Sequence, residues 1–168
     1  MDSLSDPGRL LDDDAVDWHD RSHAVDAERF DGIRDQVNSH AVVGVTDADG
    51  RVLCHDDGIH GWTLPATTVP SDGDWAATAR RDLGELLGVS LALGHPERIR
   101  HVGFTVDDPE DARRVDTFDV VFPARVDAPD ASPTAAIDVD GDATLRWVDA
   151  VPANQDGELA DDIRLFLP

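Results

Sequence analysis

Residues 62–89 carry the clearest pattern in the chain and read WTLPATTVPSDGDWAATARRDLGELLGV. Apolar residues recur at helical spacing in their second half and predict a helix with one buried face, formed by Trp75, Ala79, Leu83, Leu86 and Leu87. We expect Ser71 and Asp74 to cap its start, because a Ser oxygen can accept a hydrogen bond from a free amide of the first turn. Gly88 suits the left-handed position that ends a helix. The stretch therefore predicts a strand end, a loop, a helix and a glycine stop.

Two carboxylates lie three residues apart on another face of this helix, at Asp82 and Glu85, with Arg81 beside them. At that spacing both project from adjacent turns. They can share a hard cation such as magnesium, which prefers oxygen ligands and takes few of them from a protein. The alternative is two solvated acids, with Arg81 and Glu85 forming an i,i+4 pair that contributes only about 0.3–0.5 kcal/mol. The helix by itself leaves both interpretations open.

The same stretch resembles a degenerate Nudix box, whose family pattern is G-x5-E-x7-R-E-U-x-E-E-x-G-U with U a bulky apolar residue. The best register sets the R, E, U, E, G and U of the second half on Arg81, Asp82, Leu83, Glu85, Gly88 and Val89. The W-x-L-P that commonly precedes the box is matched by Trp62, Leu64 and Pro65. Three box positions differ: the first glycine is Thr67, the first glutamate is Gly73 and the second of the paired glutamates is Leu86. Asp82 is also one methylene shorter than the usual glutamate.

The resemblance implies an α/β/α sandwich around a mixed β-sheet. It also implies Mg²⁺-dependent hydrolysis, with Mn²⁺ as the other metal, of a diphosphate linkage in a nucleoside diphosphate derivative. In the family, the helix glutamates bind the metal and position the attacking water. Asp82 and Glu85 take that role here, and Arg81 orients their carboxylates. A further acidic ligand often comes from a loop before a Trp-bearing strand, where Asp142 is the nearest match and Asp138 and Asp140 compete with it.

The departures from the pattern motivate a second hypothesis, a catalytically impaired Nudix-like module that binds a nucleotide metabolite or a protein partner. Leu86 lacks a carboxylate that would attract a divalent ion at ~4 Å by several kcal/mol, even at an effective dielectric near 20. Substrate phosphates can supply ligands that the protein lacks, so hydrolysis stays the first hypothesis. Asp74 either replaces the displaced box glutamate or serves as a favourable charge at the helix start. A purely structural acidic domain is the third alternative.

The chain is very acidic: 168 residues carry a formal net charge of -22, and all 14 basic residues are arginine. Because 40% of the residues are hydrophobic and occur in periodic runs, we expect a folded domain. The acids are spread along the whole chain, which indicates a solvated surface adapted to multimolar salt, where the Debye length is ~3 Å or less. A nucleic-acid mimic is the alternative. Direct duplex binding is not expected, because it requires clustered Lys or Arg. The expected partner is a small nucleotide-type substrate.

Cysteine content and hydropathy bear on the location of the protein. The single Cys54 excludes an internal disulfide, and nothing resembles a signal peptide or a membrane span, so we expect a cytoplasmic protein. Cys54 has no zinc-like spacing to a histidine, and we expect it in the core rather than as a nucleophile. Trp62 either stacks on a base or is buried in the ordinary way.

The remaining sequence predicts two parts, an acidic extension over residues 1–36 and a Nudix-like domain over residues 37–168. We expect residues 1–24 to be loose or partly helical and Asp26 to cap a short helix. Strands from His40 to Val45 and from Arg51 to Cys54, joined by a turn at 47–50, predict a hairpin. Further strands are expected at 98–106, 115–126 and 144–148. The final helix is expected over 157–166, with one face formed by Leu159, Ile163 and Leu167.

Overall fold

A computed structural model describes residues 1–56, 58–127 and 144–168. The strands are β1 (Asp17–Val25), β2 (Ser39–Val45), β3 (Val52–Asp56), β4 (Trp62–Thr63), β5 (Ala66–Val69), β6 (Leu91–Leu93), β7 (Arg98–Val106), β8 (Arg114–Val126) and β9 (Thr144–Val148). The helices are α1 (Ala27–Arg34), α2 (Trp75–Thr78), α3 (Gly84–Leu87) and α4 (Gly157–Arg164), with a π-helical segment at Ala79–Leu83 and a short 3-10 helix at Pro7–Leu10. In the described ranges, no helix has the length and apolar character that crossing a bilayer requires.

The strands form two sheets. The larger sheet has the order β1-β7-β8-β2-β5, with β6 paired to β8; the β1/β7 and β2/β8 pairs are parallel and the others are antiparallel. The smaller sheet is antiparallel with the order β4-β3-β9. The fold is therefore α/β with a mixed sheet, which confirms that part of the prediction.

The predicted helix in the middle of the chain runs without a break through residues 75–87 as α2, the π-helical segment and α3. Trp75, Ala79, Leu83 and Leu87 are buried as predicted, and Leu86 is half-buried against the same core. Gly88 ends the helix in the left-handed region at φ 67°. The capping prediction is corrected at Ser71: the helix starts at Trp75, and Asp74 alone caps it, accepting from the Ala77 amide at 2.8 Å.

Residues 1–24 were predicted to be loose or partly helical: a short 3-10 helix forms at Pro7–Leu10, but the segment is not a loose extension, which corrects that part of the prediction. Residues 17–25 form β1, which pairs with β7 along its whole length. Leu4 is buried, its carbonyl accepts from the Trp75 amide at 2.8 Å, and Arg80 donates to the Met1 carbonyl at 2.7 Å. β1 is mostly exposed and polar, so its sequence lacks the apolar alternation that identifies a strand. The short helix after it is confirmed, and Asp26 caps it by accepting from the Arg29 amide.

The predicted hairpin at residues 40–54 is only partly correct. The turn forms, with the Asp47 amide donating to the Arg51 carbonyl at 3.0 Å and one bridge between Thr46 and Val52. Beyond that bridge β2 belongs to the larger sheet and β3 to the smaller one. Both strands carry continuous buried apolar residues, as strands packed on both faces do. The turn therefore carries the chain from one sheet to the other.

The buried face of α4 also differs from the predicted one. Its buried residues are Ala160, Asp162 and Ile163, whereas Leu159 is 39% exposed. Asp162 faces inward because two arginines of β7 neutralise it, as described below. β7 and β9 have the predicted bounds, and β8 begins one residue early at Arg114.

Gly44 on β2 gives a test of how the C-terminal segment packs. A Cβ atom added there would lie 2.2 Å from the ring of Phe166. We expect Gly44→Ala to displace this ring and to lower the free energy of unfolding by about 1–3 kcal/mol, the usual range for overpacking, as measured by urea denaturation. Gly32→Ala in α1 is the control, because nothing lies within 4 Å of the added atom. It should leave stability unchanged or raise it, and equal losses in both variants would contradict this packing.

Candidate functional site

A cleft of about 420 Å³ opens on the face of the larger sheet that α4 covers. The larger sheet contributes His40, Val42, Arg100 and Asp119, and the smaller sheet contributes His55 and Thr63. The walls of the cleft also include His60 and Leu64, residues 66–68 of β5, and Glu158, Leu159 and Asp162 of α4. Its volume is in the range of small-molecule binding sites, ~300–1,000 Å³.

A polar row crosses four strands of the larger sheet, and its members on β2, β8 and β7 line this cleft. The Cα partners are His40 with Asp119, Asp119 with Arg100, and Arg100 with His19. Directly opposed residues of neighbouring strands point to one face of a sheet. His40 Nδ1 lies 2.9 Å from Asp119 Oδ1, and this hydrogen bond raises the pKa of His40 above its ordinary value of 6.5. The row therefore places a histidine–carboxylate pair beside an arginine inside the cleft.

Asp162 joins α4 to β7 through two arginines. Its Oδ1 accepts from Arg98 Nη1 at 3.0 Å and from Arg100 Nη2 at 2.6 Å, and its Oδ2 accepts from Arg100 Nη1 at 2.8 Å. The three side chains are at most 10% exposed. Arg98 Nε also donates to Asp17 of β1 at 2.8 Å. Removing one partner of such a buried group leaves an uncompensated charge and typically costs 3–5 kcal/mol.

Two buried nitrogen atoms that line the cleft have no hydrogen-bond partner among the described residues: His55 Nε2 and Arg100 Nε. Arg100 Nε is 3.8 Å from Glu158 Oε1, which is beyond hydrogen-bonding distance. Buried polar atoms nearly always have a partner in native proteins, whether protein, water or ligand. Both atoms are themselves shielded from solvent, so they belong to the packed wall of the cleft and do not face its open space.

The predicted site residues lie on helix 75–87. Arg81 donates from Nε to Asp82 Oδ1 at 2.6 Å and from Nη2 to Asp82 Oδ2 at 3.2 Å. Thr67 Oγ1 donates to Asp82 Oδ2 at 3.3 Å. The bond from Arg81 is the main reason that the pKa of Asp82 is lowered. These two hydrogen bonds of Arg81 go to its neighbour and not to Glu85, with which the alternative interpretation had paired it, and Glu85 is exposed.

The sequence predicts a regular α-helix here, but the structure has a π-helical segment at this point. Arg81 and Asp82 lie in the π-helical segment, and Glu85 lies in the α-helical turn after it. The wider turn changes the angle between the two acidic side chains from that of an uninterrupted α-helix. Such single π-helical turns frequently occur at functional sites.

The edge strand β5 lies between the acidic helix and the cleft, and Thr67 contacts both. Its Cα partners on β2 are Ala41 for Thr67 and His40 for Thr68. Successive side chains alternate between the faces of a sheet. The hydroxyl of Thr67 reaches Asp82 on the helix side, and Thr67 also lines the cleft together with Ala66 and Thr68. A molecule that contacts both the cleft and Asp82 must cross β5, where Thr67 stands at the position of the first glycine of the resembled pattern.

The other candidate residues have structural roles or lie outside the described residues. Asp74 is the helix cap and also accepts from the Leu4 amide at 2.8 Å, which agrees with its alternative as a helix-start charge. Trp62 packs on the smaller core, and its ring is covered by Arg146 at 4.3 Å. Cys54 is buried in that core as expected, and burial raises the pKa of its thiol to about 11. The acidic candidates that lie outside the described residues are Asp138, Asp140 and Asp142.

The carboxylates of Asp82 and Glu85 are the only predicted metal ligands that lie within the described residues, and the question is whether they suffice for magnesium. Within the described ranges, no group of three His, Cys, Asp or Glu side chains comes together to hold a metal ion. Asp82 and Glu85 supply two carboxylates, and Asp82 already binds Arg81. Magnesium usually takes one or two carboxylates from a protein and other ligands from substrate phosphates and water. The described residues thus fit magnesium that arrives with a phosphorylated ligand, and they do not build a complete resident site.

Sequence reasoning missed the residues of the cleft, because they come from separate strands and α4. One local signal was present: Arg98 and Arg100 flank Ile99 in an otherwise apolar strand. Long charged residues at alternating positions of a buried strand indicate ion pairs beneath another element. No protein-family model matches this chain, and comparison with curated proteins finds no match.

The pair between His40 and Asp119 predicts a pH effect. By NMR titration we expect the pKa of His40 to lie above 6.5 and to fall in Asp119→Asn, because the carboxylate stabilises the imidazolium. A raised pKa in the folded state means that the pair stabilises the fold below about pH 6.5 and that this contribution is lost as the pH rises through the pKa of folded His40. Asp13→Asn removes the partner of His95 instead and should not affect His40. The same His40 titration in Asp119→Asn and the parent protein would contradict the pairing.

Proposed function

We propose that this chain is a Nudix-type hydrolase that cleaves a diphosphate linkage in a nucleoside diphosphate derivative. The packing of helices on both faces of the larger sheet supports a Nudix-like sandwich. Helix 75–87 lies on one face, where Trp75 Nε1 donates to the Phe118 carbonyl at 3.2 Å. The opposite face is covered by α4, through Asp162 and its two arginines.

The observation that carries this proposal is the position of β5 between the cleft and the acidic helix. Thr67 hydrogen-bonds Asp82 and, with the adjacent Ala66 and Thr68, lines the cleft. A nucleoside diphosphate derivative has two parts that match these two surfaces. In the proposed arrangement the nucleoside occupies the cleft and the diphosphate crosses β5 toward Asp82 and Glu85.

The helix residues have distinct roles in this arrangement. Magnesium bound to the diphosphate would draw negative charge from its oxygens. Asp82 and Glu85 would be the carboxylates that contact this metal–diphosphate complex. Arg81 orients Asp82 through two hydrogen bonds, and this pairing lowers the pKa of the carboxyl below its usual range. Thr67 fixes the second oxygen of the same carboxylate from β5.

A Nudix-like module that binds the same kind of ligand without cleaving it is the second candidate. Two observations favour it. The carboxylate of Asp82 is already engaged by Arg81 and Thr67. Leu86, at the position of a metal-binding glutamate in the resembled pattern, packs against the main core. Both candidates share ligand binding in the cleft, and they differ in whether the ligand is cleaved.

The two candidates are separated by product release from nucleoside triphosphates, dinucleoside polyphosphates and nucleotide sugars in multimolar KCl with Mg²⁺ or Mn²⁺. We expect metal-dependent turnover. We expect Glu85→Gln to lower it by at least about 10-fold, since losing even an outer partner of a metal site costs that much. Glu28→Gln, on the exposed first turn of α1, is the matched control and should retain activity. No turnover of any substrate by folded protein that still binds nucleotide would favour the non-cleaving module.

Leu86 provides the second arm of this experiment. Leu86→Glu restores the missing carboxylate, whereas Leu86→Gln has nearly the same shape without the charge. Because Leu86 is half-buried, both variants lose similar packing. Higher turnover in Leu86→Glu, but not in Leu86→Gln, would show that the missing metal-binding carboxylate limits the rate of cleavage. Equal turnover in the two variants, with folding intact, would count against that account.

A further inference from the structure

The pair formed by His40 and Asp119 is accessible from the cleft that both residues line. Their side chains are 42% and 40% exposed, against 9% for Arg100. Asp119 binds the imidazole at Nδ1, so Nε2 lies on the opposite edge of the ring. Within the described residues Nε2 has no hydrogen-bond partner, and it is not one of the nitrogen atoms that are shielded from solvent. This nitrogen is therefore open to a molecule that enters the cleft.

The carboxylate of Asp119 determines the state in which Nε2 is presented. Its hydrogen bond to Nδ1 is the main reason that the pKa of His40 is raised, and its negative charge acts in the same direction. A protonated imidazole donates from both ring nitrogens. Nδ1–H is bound by Asp119, and Nε2–H is then a charged donor that points away from it. Charged donors of this kind form short, strong hydrogen bonds with anionic oxygen atoms.

The protonation of His40 also decides the charge that an entering ligand meets. The other carboxylates that line the cleft have arginine partners, which are Arg98 and Arg100 for Asp162 and Arg21 for Glu158. Asp119 is instead paired with His40. The two further histidines of the lining are His55 on β3 and His60 in the loop after it. When His40 loses its proton, the charge of Asp119 stands uncompensated beside the open cleft and repels an anion.

His40 lies next to the strand that the proposed ligand must cross. Its Cα partner on β5 is Thr68. The Cβ atoms of directly opposed residues on antiparallel strands are about 4.5–5.5 Å apart. Thr67, the residue before Thr68, hydrogen-bonds Asp82. A diphosphate that extends from the cleft to Asp82 therefore passes close to His40.

We propose that protonated His40 donates from Nε2 to a phosphate oxygen of the ligand on the cleft side of β5, and that Asp119 positions the imidazole for this contact. The inference rests on the proposed function for the identity of the ligand, and it makes binding of that ligand depend on pH. Affinity is high while His40 is protonated and falls as the pH rises through the pKa of this residue. It falls because the donor proton is lost and because Asp119 is left uncompensated.

The test measures binding of the α,β-methylene analogues of ADP and UDP to the full chain by calorimetry, with Mg²⁺ in multimolar KCl. These analogues carry a diphosphate that resists cleavage. From about pH 5 to about pH 8, where histidine titrates, we expect the affinity to fall. Toward the alkaline end, binding should take up a proton, which makes the measured enthalpy depend on the buffer. His40→Gln cannot titrate, so it should abolish this uptake and weaken binding at the acidic end about tenfold, the equivalent of one charged hydrogen bond.

Asp119→Asn tests the positioning role and separates it from a loss of folding. Without the carboxylate the pKa of His40 falls, so we expect the loss of affinity to move to lower pH while binding at the acidic end is retained. A misfolded variant would not recover there. His95→Gln is the control, because His95 is bonded to Asp13 and does not line the cleft. It should keep the affinity and the proton uptake of the parent protein.

The outcomes distinguish this inference from the proposed hydrolysis. The same pH dependence and proton uptake in His40→Gln and in the parent protein would overturn the inference and leave hydrolysis standing. Binding that depends on His40, without turnover of any substrate, would support the inference and reject hydrolysis. No binding of either analogue by folded protein would overturn both.

Discussion

The buried carboxylate of Asp162 is the contact on which the arrangement of the cleft depends. Arg98 and Arg100 hold it from β7, and Arg98 continues to Asp17 of β1. One aspartate thereby connects α4 with the two strands at one side of the larger sheet. Arg100 uses its terminal nitrogens for α4, and its Nε is buried without a hydrogen-bond partner among the described residues. The contact that fixes the helix therefore also fixes the position of this arginine in the wall of the cleft.

The second constraint is the edge strand β5, which has the cleft on one side and the acidic helix on the other. In the resembled pattern a glycine stands where this chain has Thr67, and glycine allows the closest approach of a ligand to the backbone. The threonine instead extends a hydroxyl toward Asp82. The same side chain therefore orients a carboxylate beside the cleft. In the proposed function, the diphosphate of the ligand must pass this threonine to reach Asp82.

Local patterns predicted the elements whose residues have regular spacing and clear stops. Helix 75–87 followed from the recurrence of Trp75, Ala79, Leu83 and Leu87, and its end followed from Gly88. The first strand was missed because an exposed, polar edge strand has no apolar alternation. The hairpin was misjudged because local sequence cannot show that β2 and β3 belong to different sheets. The inward position of Asp162 was missed because, in a chain with 36 acidic residues, an aspartate on a helix looks like solvated surface.

The candidate site likewise has one part that local sequence patterns predict and another part that only the fold brings together. Asp82 and Glu85 became candidate metal ligands because their three-residue spacing, within a stretch that resembles a Nudix box, is visible in the sequence. The cleft was not identified, because His40, His55, Arg100 and Asp119 are distant in sequence and meet only when the strands pair. Their chemistry depends on burial and on partners, neither of which a single sequence displays.

The most direct test of the central claim is to map amide chemical-shift changes on adding a non-hydrolysable nucleoside diphosphate analogue with Mg²⁺. If one ligand spans the cleft and the acidic helix, shifts will appear together at His55 and Asp119 and at Thr67 and Asp82, with one common affinity. Changes confined to one side of β5, or two sets with different affinities, would contradict the account.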